Sequence, residues 1–132
     1  MPIKVVVLYD LDPRWDNLEI STARCSNKVL AEALREEGIE TYLEELRDPN
    51  LGRILKKYNP DETIIFNLCE TLPGIPRSER RVLEIIENRG FTYTGNDPDL
   101  IELSCDKQKT NVIIRSLGVK VPSGAVLAPE EA

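Results

Sequence analysis

The sequence predicts an α/β fold, a three-layer Rossmann-like parallel sheet with helices on both faces. Three observations carry this. Short apolar runs, IKVVVLY, TYLEEL, TIIFNLC and FTYT, recur along the chain. Stretches with helical periodicity and capping residues separate them. Each joining stretch is long enough for the right-handed crossover that parallel neighbours require.

Ile3 to Tyr9 is a continuous apolar run, the pattern of a strand buried on both faces. Asp16 and Glu19 offer a capping box for a helix that runs to Glu37 and stops at Gly38, with Ala23, Val29, Leu30, Ala33 and Leu34 on its inner face. Thr41 to Leu46 is the second strand. Asp48 then reads as an N-cap with Pro49 at the first helical position. Leu51, Ile54, Leu55 and Tyr58 follow at i, i+3, i+4 and i+7, before Asn59 and Pro60 close the helix. Thr63 to Cys69 is the third strand. Ser78 is expected to cap a helix that turns Val82, Leu83, Ile85 and Ile86 inward and ends at Gly90. Phe91 to Thr94 makes a fourth strand. Asp97 and Pro98 start a short helix, and Ser104 is expected to cap another through Leu117 to Gly118. Residues 1–118 thus form one domain. Residues 119–132, VKVPSG followed by AVL and APEEA, read as a linker and the first strand of a further domain that the sequence does not carry.

With 17 basic and 23 acidic residues interleaved along the chain, the net charge is −6, which argues against nucleic acid and anionic membranes as partners. No apolar run approaches membrane-spanning length. Cys25, Cys69 and Cys105 are an odd number far apart, expected as reduced thiols in the cytoplasm. Histidine is absent, which removes Ser-His-Asp and Cys-His nucleophile pairs, imidazole metal ligands and histidine acid–base chemistry. Chemistry must come from carboxylates, Lys, Arg or a cofactor.

Ligands of parallel sheets bind at the carboxyl ends of the strands. Here those ends are the loops Asp10 to Asn17, Cys69 to Arg77 and Gly95 to Lys107. Lys107 falls in the first turn of a helix, where a cation is unfavourable unless an anion sits beside it. It either awaits such an anion or is an ordinary solvated lysine beside Asp106. Trp15 either lines the same cleft or is partial core.

Three motifs in order, FNLCETLPG, GFTYTGNDPDLIELSCDKQKT and LGVKVPSGAVL, resemble D-alanine–D-alanine ligases and their ATP-grasp relatives over residues 63–127, with a looser match over residues 3–38. The resemblance implies a pre-ATP-grasp amino-terminal domain of an ATP-dependent carboxylate–amine ligase, with Lys107 contacting ATP phosphate. It implies ATP and magnesium as cofactors of the full-length enzyme, with the magnesium ligands in later domains. This polypeptide alone is expected to be inactive and to hold neither cofactor stably, with at best weak ligand binding at a half-built cleft. The implied partners are a small carboxylate or amine substrate, an ATP-grasp domain in cis or in trans, and a second copy in a homodimer.

Two departures argue against simple transfer of the family's substrate. Asn17 stands where the family has a substrate-binding glutamate, two residues before Glu19-Ile20-Ser21, and Glu70 stands where it has a histidine. A carboxylate lost at one loop and gained at another implies that Glu70 receives a cationic amine, with Asn17, Ser21, Asp10 and Asp12 around it. Alternatively, Glu70 caps its loop or pairs with Arg77 or Arg80. Asn17, Glu70 and Lys107 are expected along one rim. Two other classes compete. A receiver-type phosphate sensor would need an aspartate at the end of the third strand, where the chain has Asn67, Leu68, Cys69 and Glu70. A stand-alone small-molecule-binding or dimerisation module of flavodoxin-like fold would need none of these residues for chemistry.

Overall fold

Val6, Val7 and Leu8 have no solvent exposure, because β1 (Lys4–Asp10) runs through the interior of a four-strand sheet with cover on both faces. The structure is a computed structural model that describes residues 2–127. The strands β1, β2 (Glu40–Leu46), β3 (Thr63–Leu68) and β4 (Thr92–Tyr93) are all parallel, in the order β2-β1-β3-β4. The register places Asp10 beside Leu46 and Tyr9 beside Leu68, so β1, β2 and β3 end at one level. The expected fold class holds.

Side chains alternate across the pleat, and the two faces bury different things. Val6, Leu8, Leu46 and Ile65 pack on one face against Leu51, Ile54 and Leu55 of α2 (Leu51–Leu55) and Val82 and Ile86 of α3 (Glu79–Glu87). Each such side chain stabilises the fold by about 1.5–3 kcal/mol through burial. On the other face, the Tyr9 hydroxyl donates to Glu45 at 2.8 Å, and Arg24 of α1 (Asn17–Glu36) donates to the same carboxylate at 2.7 and 2.9 Å. Opposite directions of travel from β1 to β2 and from β2 to β3 put right-handed crossovers on opposite faces.

Local structure departs from expectation where a cap was misassigned. Asp16 and Glu19 form the capping box, but Val29 and Ala33 are exposed, and the inner face is instead Ile20, Ala23, Asn27, Leu30, Ala31 and Leu34. Asn50, not Asp48, caps α2, because Asp48 accepts from the Asn50 N–H in an Asx turn and delays the helix. That helix ends at Leu55, and Asn59 and Pro60 begin a 3₁₀ turn, Pro60–Glu62, rather than only closing a helix. Asp97 caps α4 (Pro98–Cys105) as expected, but Ser104 lies inside it, donating to the Ile101 carbonyl. Asp106 caps α5 (Lys107–Ser116), accepting from the Lys109 N–H at 3.0 Å. A carboxylate at an N-cap satisfies an orphan N–H and meets the positive helix end, so it prevails over an upstream serine. Residues 119–127 carry no strand, and residues 128–132, the rest of the segment expected as a linker and the first strand of a further domain, lie outside the described residues. Among the described residues no helix is long and apolar enough to cross a membrane.

Candidate functional site at the carboxyl edge of the sheet

The edge is built from the main chain outward. Asp10 ends β1 with its carboxylate turned to the loop after β3. Its Oδ1 accepts from the Glu70 N–H at 2.9 Å, and its Oδ2 accepts from the Thr71 hydroxyl at 3.3 Å and the Thr71 N–H at 3.4 Å. The next six residues close on Ser78. Its hydroxyl, 1% exposed, accepts from the Leu72 N–H at 2.8 Å and donates to the Ile75 carbonyl at 2.6 Å, while the Ile75 N–H donates to the Leu72 carbonyl at 2.9 Å. Ser78 was expected to cap α3. It precedes that helix but makes no capping bond, because its hydroxyl is engaged by the loop. The closed turn places Gly74 at φ 78° and Arg77 at φ 55°. The left-handed conformation suits glycine and strains arginine by roughly 1–3 kcal/mol.

Three depressions line this edge. One of about 470 Å³ lies between Asn67, Glu70, Glu79, Leu83, Thr94 and Ile101. A second, about 780 Å³, is bounded by Arg77, Glu79, Arg80, Glu102, Asp106 and Lys107. A third, about 370 Å³, holds Asp12, Arg14, Thr71, Gly74, Arg77 and Glu79. Glu79 borders all three, so they are neighbours along one tract of the surface. A further depression of about 290 Å³ lies beyond Lys107, against Arg115 and Pro122.

The structure sorts the expected residues into those on this tract and those off it. Glu70 is exposed on the first depression and has no ion pair among the described residues. The alternative partner Arg80 is engaged by Glu84 at 2.8 Å, Asp99 at 2.8 Å and Glu102 at 2.7 Å. Loop tethering falls to the Glu70 main chain, not its carboxylate. Lys107, the first residue of α5, is exposed on the second depression, and the lysine beside Asp106 is Lys109, with Nζ at 3.5 Å. The Asp106 carboxyl is held below the usual range, chiefly by the Lys109 N–H.

Asp12 is also on the tract but already paired. Arg14 donates to it through Nε at 2.9 Å and Nη2 at 2.5 Å, and these bonds hold its carboxyl down at about 2. Asp10 is a structural clip. Asn17 starts α1 and borders none of these depressions, and neither does Ser21, whose hydroxyl donates to the Leu18 carbonyl at 2.9 Å. Trp15, 37% exposed, borders none of them either. Glu70 and Lys107 therefore share a tract that Asn17 does not reach. Cys69 is buried, and burial pushes its thiol well up, so it is an inert core group.

Sequence reasoning passed over Glu79, the residue common to three depressions. Its signal was its place just after Ser78 at a helix start, where a carboxylate is favoured by the helix dipole. It also treated Arg77 only as a partner for Glu70.

No family model matches the chain, and no solved structure matches it. A curated relative does match: over 120 residues, 91% of this chain, it is 34% identical to the D-alanine–D-alanine ligase of Aquifex aeolicus (strain VF5). The resemblance to the D-alanine–D-alanine ligases holds. The chain spans 38% of that relative's length.

Proposed function

We propose that the chain is the substrate-side, pre-ATP-grasp domain of an ATP-dependent carboxylate–amine ligase that forms a peptide-type C–N bond. One observation carries this reading. A carboxylate and an ammonium, Glu70 and Lys107, each without an ion pair among the described residues, border neighbouring depressions that Glu79 also borders. The similarity to a D-alanine–D-alanine ligase supports it.

On this reading Glu70 holds the cationic amine of a substrate by charge pairing, and the Asp10 clip fixes where Glu70 stands. Lys107 meets a phosphate of ATP, which fits an exposed ammonium bordering two open depressions. ATP, when bound, supplies the phosphoryl group that turns a carboxylate oxygen into a leaving group. Magnesium is a different case. Among the described residues no group of three acidic or thiol side chains is placed to hold a metal, so no step here runs through one. Its ligands belong, in this proposal, to an ATP-grasp domain acting in cis or in trans. A cytoplasmic setting agrees with the exposed free thiols of Cys25 and Cys105.

NMR titration of the 132-residue chain with Mg-ATP, and separately with D-alaninamide, tests both contacts. Glu70→Gln is expected to abolish the amine response and keep the nucleotide response, and Lys107→Gln the reverse. Absence of shift changes at residues 67–70 and 106–108 with either ligand overturns the reading. A second reading, a dimerisation module, is favoured by the outer face of α1, where Leu18 and Val29, 73% and 59% exposed, flank the exposed Cys25. A monomer at high concentration in light scattering removes it.

A further inference from the structure

We propose that the amine substrate carries a bulky apolar side chain, seated against Leu68 and Ile101 in the depression of about 470 Å³. This rests on the proposed amine contact of Glu70 and names the kind of amine that contact takes. The depression exists because the sheet splays there. β4 pairs with β3 only at Ile64 and Ile65, and the chain then turns away at Gly95, whose φ of 112° suits glycine and few other residues. Thr94 Oγ1 accepts from the Asn67 N–H at 3.0 Å in place of a further ladder bond. Beyond it, the end of β3 has no strand beside it on that side among the described residues. Leu83 of α3 and Ile101 of α4 complete the lining of the gap.

Its apolar lining divides into floor and wall. Cys69 and Leu83 are buried and already held by the core. Leu68, 40% exposed at the end of an interior strand, and the half-buried Ile101 are open to a ligand. Apolar surface left in water beside a concavity is stabilised when an apolar group fills it. Charge decides which end of the substrate enters. The lining holds Glu70 and Glu79, neither with an ion pair among the described residues, and it holds no lysine or arginine. Such a lining admits an ammonium and repels a carboxylate. The substrate therefore enters by its amine and side chain, with its carboxyl group turned outward. The volume falls within the roughly 300–1,000 Å³ of small-molecule sites, and a side chain of one methyl leaves most of the wall uncovered.

Calorimetry on the 132-residue chain with D-leucinamide and D-alaninamide tests this, since both present an amine and a side chain without a carboxylate. D-Leucinamide is expected to bind about ten-fold tighter or more, the scale of a few buried carbons. This comparison needs no variant. Leu68→Ala and Ile101→Ala are each expected to cut the preference by about three-fold or more while the affinity for D-alaninamide holds. Leu100→Ala is the control, because Leu100 neighbours Ile101 on α4, is 46% exposed and borders none of these depressions. Equal affinity for the two amides, a preference that survives both substitutions, or an equal fall in Leu100→Ala overturns the proposal. A fall in one of the two variants and not the other overturns the two-sided wall. Where the amides bind equally and Glu70→Gln weakens both, the amine contact stands and the apolar wall alone fails. No heat with either amide, or heat that Glu70→Gln leaves unchanged, overturns the amine contact and this inference with it.

Discussion

The loop from Glu70 to Ser78 and the arm formed by α4 and α5 carry the two candidate contacts, yet they are held in opposite ways. In the loop, Leu72, Pro73 and Ser78 are buried, and main-chain groups are tied to Asp10 and Ser78. In the arm, Pro98 is the buried residue of α4, and α5 buries none of its described residues. Leu100, Val112 and Leu117 stand 46%, 58% and 76% exposed. Glu70 is thus positioned by the core, whereas Lys107 is positioned by a cap, by packing of α4 on α3, and by the Arg80 cluster. A binding edge can combine a wall fixed by packing with one fixed mainly by local capping and charge.

The sharpest way to break this contrast is to shorten one apolar side chain in each region. Leu72→Ala is expected to destabilise the chain by about 2–4 kcal/mol, and Val112→Ala by less than about 0.5 kcal/mol, in urea unfolding. Equal losses would end the distinction. Ser78→Ala comes next. It strips the buried Leu72 N–H of its acceptor and is expected to remove roughly 1–3 kcal/mol, with faster amide exchange at residues 72–77. Arg80→Met should affect the arm alone. Amide exchange should speed up in α4 and α5 while β3 keeps its protection, and uniform acceleration would show that the arm is not a separate unit.

A pH experiment examines the face of the sheet that meets α1. Glu45, bonded first by Arg24 and also by Tyr9 and Arg47, has its carboxyl lowered from 4.5 to about 2. A depressed folded-state value stabilises above the unfolded value and is lost as pH falls through the folded one. Stability should therefore decline between about pH 4.5 and 2, and Glu45→Gln should flatten that limb of the curve. A small effect, and of opposite sign, is expected at Thr63, whose buried hydroxyl finds no partner among the described residues. Thr63→Val should be neutral or stabilise by up to about 1 kcal/mol; a clear loss would reveal a hidden partner.

The same contrast explains what could be read from the sequence. Strands and their order of appearance were legible because Val5 to Leu8 and Thr63 to Phe66 leave few alternatives to buried strands. The places of Glu70 and Lys107, one after a strand end and the other opening a helix, were legible from the same patterns. Caps were less so, since Asp48, Asn50, Ser104 and Asp106 are all good cap residues and the choice depends on geometry several residues away. The role of Ser78 was hidden for another reason. Its hydroxyl bonds to a turn that only the folded chain closes. Asn17 and Ser21 were placed by a motif that fixes position along the chain, not the direction in which a helix presents its first turn.

Because Asp10 grips the main-chain N–H of residue 70 and leaves the side chain free, the attachment tolerates any amino acid there but proline, which has no N–H to donate. Position 70 behaves as an interchangeable tool on a fixed handle. A library randomised at that codon should yield folded proteins for every residue except proline, differing in what they bind and hardly at all in how they are built.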